Sequence, residues 1–154
     1  MKPDLRPTSD KRARLRLWYR MLRTAHAIDG VLRERMKTAF DTTLPRFDVM
    51  AALDRVPEGM MMSELSRFLL VSNGNVTGIV ERLVTDSLVE RTERDGDRRA
   101  SIVRLTGAGR QAFSLMASAH ARWIDELLAG ISLEDAQITA EILTAFRSPW
   151  EHDA

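Results

Sequence analysis

Apolar side chains recur at three- and four-residue steps through the first forty positions: Leu15, Trp18, Leu22, Ala25, Leu32, Met36 and Phe40. That spacing is the period of a long amphipathic helix. It begins near Thr8–Ser9–Asp10, and Gly30 is the one place where a bend is expected, because glycine costs about 1 kcal/mol in a helix interior. Thr42–Thr43–Leu44–Pro45 closes this helix and opens a second, with proline in the first turn and an apolar side made by Phe47, Met50, Ala51 and Leu53. Pro57–Glu58–Gly59 ends it. Ser63 to Leu70 reads as a short helix with Leu65, Leu69 and Leu70 inward, and Val71–Ser72–Asn73 as a turn. Ser72 is a good N-cap for a further helix running to about Ser87, with Val76, Ile79, Val80 and Leu83 buried.

The pattern then changes period. Leu88–Arg91 and Ser101–Leu105 read as two strands joined across Asp95–Gly96–Asp97. Thr106 caps another long helix, and Ser132–Leu133–Glu134–Asp135 has the spacing that opens the last one, which ends near Pro149. A single hairpin is too small a sheet to stand alone and must pack on the helices beside it. The expected fold is mainly α with one small β-hairpin: a winged helix–turn–helix over residues 45–105 and a helical region built from both chain ends, 8–42 and 106–149. All 154 residues are expected to form one structural unit.

Composition narrows the function classes. With no cysteine, disulfides, thiolate metal sites and cysteine nucleophiles are all excluded, which fits a reducing cytoplasm. Met1–Arg14 is polar and charged, without the apolar core of a signal peptide, and no stretch reaches the roughly 18 apolar residues of a membrane span, so a soluble cytoplasmic protein is expected. His26, His120 and His152 have no metal-ligand spacing, and phosphate loops, nucleophile elbows and paired catalytic carboxylates are missing from the sequence. The reading is therefore not an enzyme, with no metal and no cofactor.

The net charge of +1 conceals an uneven distribution. Residues 1–40 carry +7 and residues 91–110 carry +3, against −4 over 41–90 and −5 over 111–154. Two basic segments point to a polyanionic partner, with ordinary solvated helix charge as the plainer reading. The helix–turn–helix pattern favours the partner. Its second helix starts with short polar residues, Ser72, Asn73, Gly74, Asn75 and Thr77, the kind a recognition helix brings to base edges in the major groove. Just downstream, Arg94, Arg98 and Arg99 surround the hairpin tip, where arginine suits a minor groove, and Asp97 is placed to brace one guanidinium.

Asp97–Arg98–Arg99–Ala100 and Val103–Arg104–Leu105–Thr106–Gly107–Ala108–Gly109 resemble the wing and following helix start of the MarR family of bacterial transcriptional regulators. Glu64–Leu65–Ser66 and Val76–Thr77–Gly78–Ile79–Val80–Glu81–Arg82–Leu83 resemble its helix–turn–helix. The resemblance implies base contacts from the start of the 72–87 helix, Arg99 in the minor groove held by Asp97, and Arg98 near the DNA backbone. Ser63 and Arg82 complete the candidate double-stranded DNA interface. Two positions depart from the pattern: residue 78, commonly Arg in the family, is Gly, and Met61 stands where Ser or Thr often caps. Gly74 and Gly78 together weaken the recognition helix by roughly 2 kcal/mol relative to alanine.

The implied function is a ligand-responsive, sequence-specific regulator, acting as a repressor that binds a palindromic operator as a homodimer. An architectural or interaction DNA-binding protein without an effector is the alternative. Family members commonly respond to aromatic carboxylates, and some govern aromatic-acid breakdown and sense the acyl-coenzyme A thioester. Thr43–Leu44–Pro45–Arg46–Phe47–Asp48 and Val71–Ser72–Asn73–Gly74–Asn75–Val76–Thr77–Gly78 look closer to that second group. An aromatic ring needs apolar walls and its acid needs cations. The candidate walls are Trp18, Phe47, Met50 and Met60 with His26 as polar anchor; the candidate cations are Arg16, Arg20 and Arg46. Arg12, Arg16, Arg20 and Arg23 share one helix face, which faces ligand, phosphate or solvent.

Overall fold

In the computed structural model, residues 9–69, 73–94 and 97–145 are described, except for the side chains of 73–74, 93–94 and 97–100. Six helices and three strands follow in the order α1 (Ser9–Phe40), α2 (Leu44–Asp54), β1 (Met60–Met61), α3 (Met62–Phe68), α4 (Asn73–Thr85), β2 (Val89–Arg94), β3 (Asp97–Leu105), α5 (Gly107–Leu128) and α6 (Leu133–Thr144). The chain divides into two compact units, residues 1–120 and 121–154.

The core of the first unit is where the periodic apolar residues converge. Met36 from α1, Val49, Met50 and Leu53 from α2, and Leu65 from α3 are at most 1% exposed. Val76, Val80 and Leu83 of α4 and Val103 of β3 are fully buried among the same layer of the unit. Removing this much apolar surface from water is the main force that holds a helix as short as α3 in place. Ser66, 7% exposed, is small enough to sit in the core beside Leu65.

Local signals place the helix ends. Thr43 caps α2, its hydroxyl accepting from the Arg46 N–H, and Pro45 sits in the first turn where its missing N–H costs nothing. At α3 the Glu64 carboxylate accepts from the Met61 N–H at 2.8 Å, but Met61 has no hydroxyl to return the bond, so half of the reciprocal cap is made. Thr106 joins three elements: its N–H reaches Leu88 O, its hydroxyl donates to Ser87 O, and the same oxygen accepts from Gly109 N. Ser132 caps α6 by accepting from Asp135 N.

Several expectations are corrected. The hairpin is the larger part of a three-stranded antiparallel sheet, ordered β1-β3-β2. Met60 pairs with Val103 and Met61 with Ile102, a strand of two residues that is too short to show a period in sequence. Gly59, at φ 96°, makes the turn that delivers it, in a conformation side chains rarely adopt. The hairpin strands also extend further toward the tip than expected, to Arg94 and back from Asp97. Helix α1 continues through Gly30, where the apolar stripe is interrupted. The short helix starts at Met62 and ends at Phe68, leaving Leu69 as its cap. Helix α6 stops at Thr144 with Ala145 as cap, short of Pro149. The expected cap at Ser72 lies outside the described residues.

The apolar stripe of α1 divides along its length. Leu32 and Met36 are buried, while Leu15, Trp18 and Tyr19 are about half exposed. In the second unit every residue of α6 is exposed, including Leu133 and Ile142. Among the described residues no helix is long and apolar enough to cross a membrane.

Candidate DNA-binding face and an adjoining groove

Helix α4 has two faces because its buried residues, Val76, Val80 and Leu83, recur at helical spacing. Asn75, Gly78 and Arg82 fall on the opposite side and are exposed, and Thr77 is half-buried at the edge. Asn75, Gly78, Ile79 and Arg82 line a shallow concavity with Thr43 and Arg46 at the start of α2. Four features thus adjoin: an amide, a bare stretch of helix backbone, and two guanidinium groups. That set can bind base edges and phosphate. Apart from the helix's own backbone, nothing lies within 4 Å of where a Cβ on Gly78 would be, so a side chain can leave the helix there without a clash at Cβ.

Of the other residues expected at DNA, Ser63 is exposed in the first turn of α3. The backbones of Asn73 and Gly74 form the start of α4, and their side chains lie outside the described residues. So do the side chains of Arg94, Asp97, Arg98 and Arg99, which includes the expected Asp97 brace. The wing that carries them is built as a ladder from Val89 opposite Leu105 out to Arg94 opposite Asp97, with an irregularity between Thr92 and Arg94. A Glu90–Arg104 ion pair and an Arg91 Nε to Ser101 Oγ bond of 2.7 Å link the two strands across the sheet.

The residues expected to bind an effector are not brought together. Arg16, Trp18, Arg20 and His26 are exposed on the first part of α1, where Arg16 and Arg20 line an open face with Arg12, Arg23 and Tyr19. Phe47 and Met50 are core residues, because α2 turns its apolar side fully inward. Phe47 stacks on Phe113, with centroids 5.5 Å apart, and on His120, at 4.8 Å. Met60 is half-buried in β1.

Arg46, away from the arginines of α1, lines a second groove of the same unit. This groove of about 340 Å³ has apolar walls from Phe40, Leu88, Ala112, Leu115 and Met116, and its polar side holds Arg46, Asp86 and Asp41. Arg46 donates through Nη2 to Asp86, tying the start of α2 to the residue after α4. Its Nε is buried without a hydrogen-bond partner. Lys37 donates to Asp41 and holds that carboxyl below its usual range. Sequence reasoning placed Arg46 as a cation but missed Asp86, forty residues away, because no local period links them.

Burial also acts on the pair behind Phe47. It pushes the Asp48 carboxyl up and the His120 imidazole down, and the attraction between the two opposes both shifts. Among the described residues no group of three or more His, Asp or Glu is placed to hold a metal ion.

Comparison with known proteins agrees with this geometry. Residues 40–100 match a family model described as MarR family. The chain is 30% identical over 131 residues to the transcriptional activatory protein BadR of Rhodopseudomonas palustris, covering 83% of this chain and 74% of that protein. Among solved structures it is similar to a MarR family transcriptional regulator from Silicibacter pomeroyi, at 33% identity and TM-score 0.75, covering 90% of this chain and 95% of that one. A mutant MarR from E. coli complexed with operator DNA shares the fold at TM-score 0.73 and 22% identity, over 83% of this chain and 91% of that one. With a three-stranded winged sheet behind an exposed α4, and with that identity over most of its length, the chain belongs to the MarR family of transcriptional regulators and carries its winged-helix DNA-binding region.

Proposed function

We propose that this regulator reads one short palindromic operator as a homodimer and is released from it by a small aromatic carboxylate or the corresponding acyl-coenzyme A thioester. The observation that carries the DNA part is the two-faced α4: three fully buried valine and leucine side chains fix it on the core, while Asn75, Gly78 and Arg82 point outward beside the positive Arg46. Asn75 suits adenine, and Arg82 suits phosphate or guanine. The wing arginines Arg94, Arg98 and Arg99, with Asp97 beside them, supply the minor-groove reader that the family resemblance implies. The exposed apolar face of α1 and that of α6 are the surfaces a second copy would cover. Release by a ligand makes repression the natural outcome where the operator overlaps a promoter. The activatory relative shows that the same family also works with the opposite sign.

Selection of bound fragments from the source genome, followed by competition with excess random duplex, tests the specific reading. A regulator retains one short palindrome at moderate salt, since base contacts survive when the phosphate contribution is screened. Uniform loss to random duplex, with no sequence enriched, would favour the architectural alternative.

A further inference from the structure

Gly78 has no packing reason within the fold. Gly59 needs its positive φ of 96°, and Gly109 lies against Leu88, but a Cβ on Gly78 would meet nothing within 4 Å beyond the helix's own backbone. Glycine in a helix interior is unfavourable, because it loses more backbone freedom on folding than any other residue. An exposed glycine that the core does not require is the residue that lets something outside the chain come close to the helix backbone. We propose that the hollow at Gly78 reads an adenine–thymine step of the operator: Asn75 pairs with an adenine, and the 5-methyl group of a thymine within one base step seats against the bare backbone of Gly78 and the side chain of Ile79. This rests on the sequence-specific reading above and names what the hollow reads.

The surroundings of Gly78 fit a base edge. Asn75, Gly78, Ile79 and Arg82 follow i, i+3, i+4 and i+7, so they form one strip along α4, and all four line the same concavity. Gly78 stands about 4.5 Å beyond Asn75 along the helix axis, close to one base step of roughly 3.4 Å. The middle of the strip carries no charge: an amide, bare backbone and a half-buried isoleucine. Arg46, at the rim, is already paired with Asp86, which leaves the hollow better matched to a base than to a phosphate. The Asn75 amide can donate to adenine N7 and accept from its N6 amino group. Thymine is the one base that brings a methyl group into the major groove, and that group gains by leaving water for the Ile79 side chain and the helix backbone. A side chain at position 78 would fill the seat itself and hold the helix off the base. Arg82, one turn beyond Gly78, is placed for a flanking phosphate.

A fragment is first selected from random duplex with the full chain. The thymines of its half-sites are then replaced one position at a time, symmetrically, by deoxyuridine, which deletes only the methyl group, and affinity is followed by anisotropy. At one thymine position, within one step of an adenine, the loss of a buried methyl is expected to weaken binding about fourfold per half-site, or about fifteenfold for both. Gly78→Ala, whose own methyl fills the seat, is expected to bind the thymine and deoxyuridine fragments equally. It is expected to melt no lower than the wild type, so that the lost discrimination is not a folding defect. Asn75→Ala is expected to keep the methyl difference and to lose the preference for the neighbouring adenine. Gly78→Arg is expected to gain overall affinity through its charge and to lose the methyl difference as well. If no thymine of the selected fragment responds to deoxyuridine in the wild type, or if the response survives in Gly78→Ala, the inference is overturned, while the enriched fragment still supports the regulator reading. If selection enriches no fragment, that reading fails and this inference falls with it.

Discussion

Gly109 lies directly against the backbone of Leu88: a Cβ on Gly109 would fall 1.9 Å from the Leu88 carbonyl oxygen. The glycine is the last residue of the Leu105–Thr106–x–x–Gly109 run, and each named position of that run has a packing task. Leu105 is buried, Thr106 bonds Ser87, Leu88 and Gly109, and Gly109 lets the start of α5 close on the residue that precedes β2. The motif that marks the family in sequence is a structural joint between helix and wing.

Gly109→Ala is expected to lower stability by at least about 2 kcal/mol, because backbone must move to admit the methyl group. Gly78→Ala is the control: apart from the helix's own backbone, no atom lies within 4 Å of its Cβ, and removing a mid-helix glycine is expected to gain about 1 kcal/mol. Urea denaturation of both variants checks the pair. Equal effects would contradict the close approach at Leu88.

His120 gives the fold an acid-sensitive element. Burial against Phe47 holds its folded value below the ordinary 6.5, so between those values the unfolded chain binds more protons and stability falls as pH drops through 6.5. Asp48, raised above 3.8 by its own partial burial, acts in the opposite sense, with stability lost as pH rises through its raised value. His120→Phe keeps a ring on Phe47 and removes the titrating group. Its melting temperature is expected to drop less than that of the wild type between about pH 7 and about pH 5.5. The same drop in both proteins would assign the acid sensitivity to other groups.

At the DNA face, Asn75→Ala is expected to relax base preference by about 1–3 kcal/mol. Arg82→Ala, if Arg82 meets phosphate, weakens all sequences alike and reduces the slope of affinity against salt by about one. Gly78→Arg restores the residue common in the family at a position where a side chain can leave the helix without a clash at Cβ, and is expected to tighten binding. Arg99→Ala removes most specific affinity with the fold intact. Wild-type affinity of the Arg99 variant for its operator would refute the wing assignment.

Assembly is tested by sedimentation. The exposed Leu15, Trp18 and Tyr19 of α1 and Ile138, Ile142 and Leu143 of α6 form apolar surface that a two-fold partner would cover, spacing two recognition helices by roughly 34 Å. A dimer is expected at micromolar concentration, with Trp18→Glu shifted toward monomer. A wild-type monomer that binds DNA as one unit would refute it.

Local period and capping are enough to read the order of the helices, the helix–turn–helix between Ser63 and Leu83 and the hairpin after it. The same local reading marks Asn75 and Thr77 as candidates, because short polar residues at the start of a helix are a local signal; Arg82 entered with the resemblance to the family's helix–turn–helix. Contacts between residues distant in the chain settled the rest. Met60–Met61 became a strand only by pairing with Ile102 and Val103, and Phe47 and Met50 went to the core instead of a pocket wall because α2 packs its apolar side inward. Trp18, His26 and Arg16 stayed on the exposed part of α1, far along the helix from the buried Leu32 and Met36. Arg46 found Asp86 across forty residues, a meeting that no spacing encodes, because a period records which face of an element is apolar and not which other element will cover it.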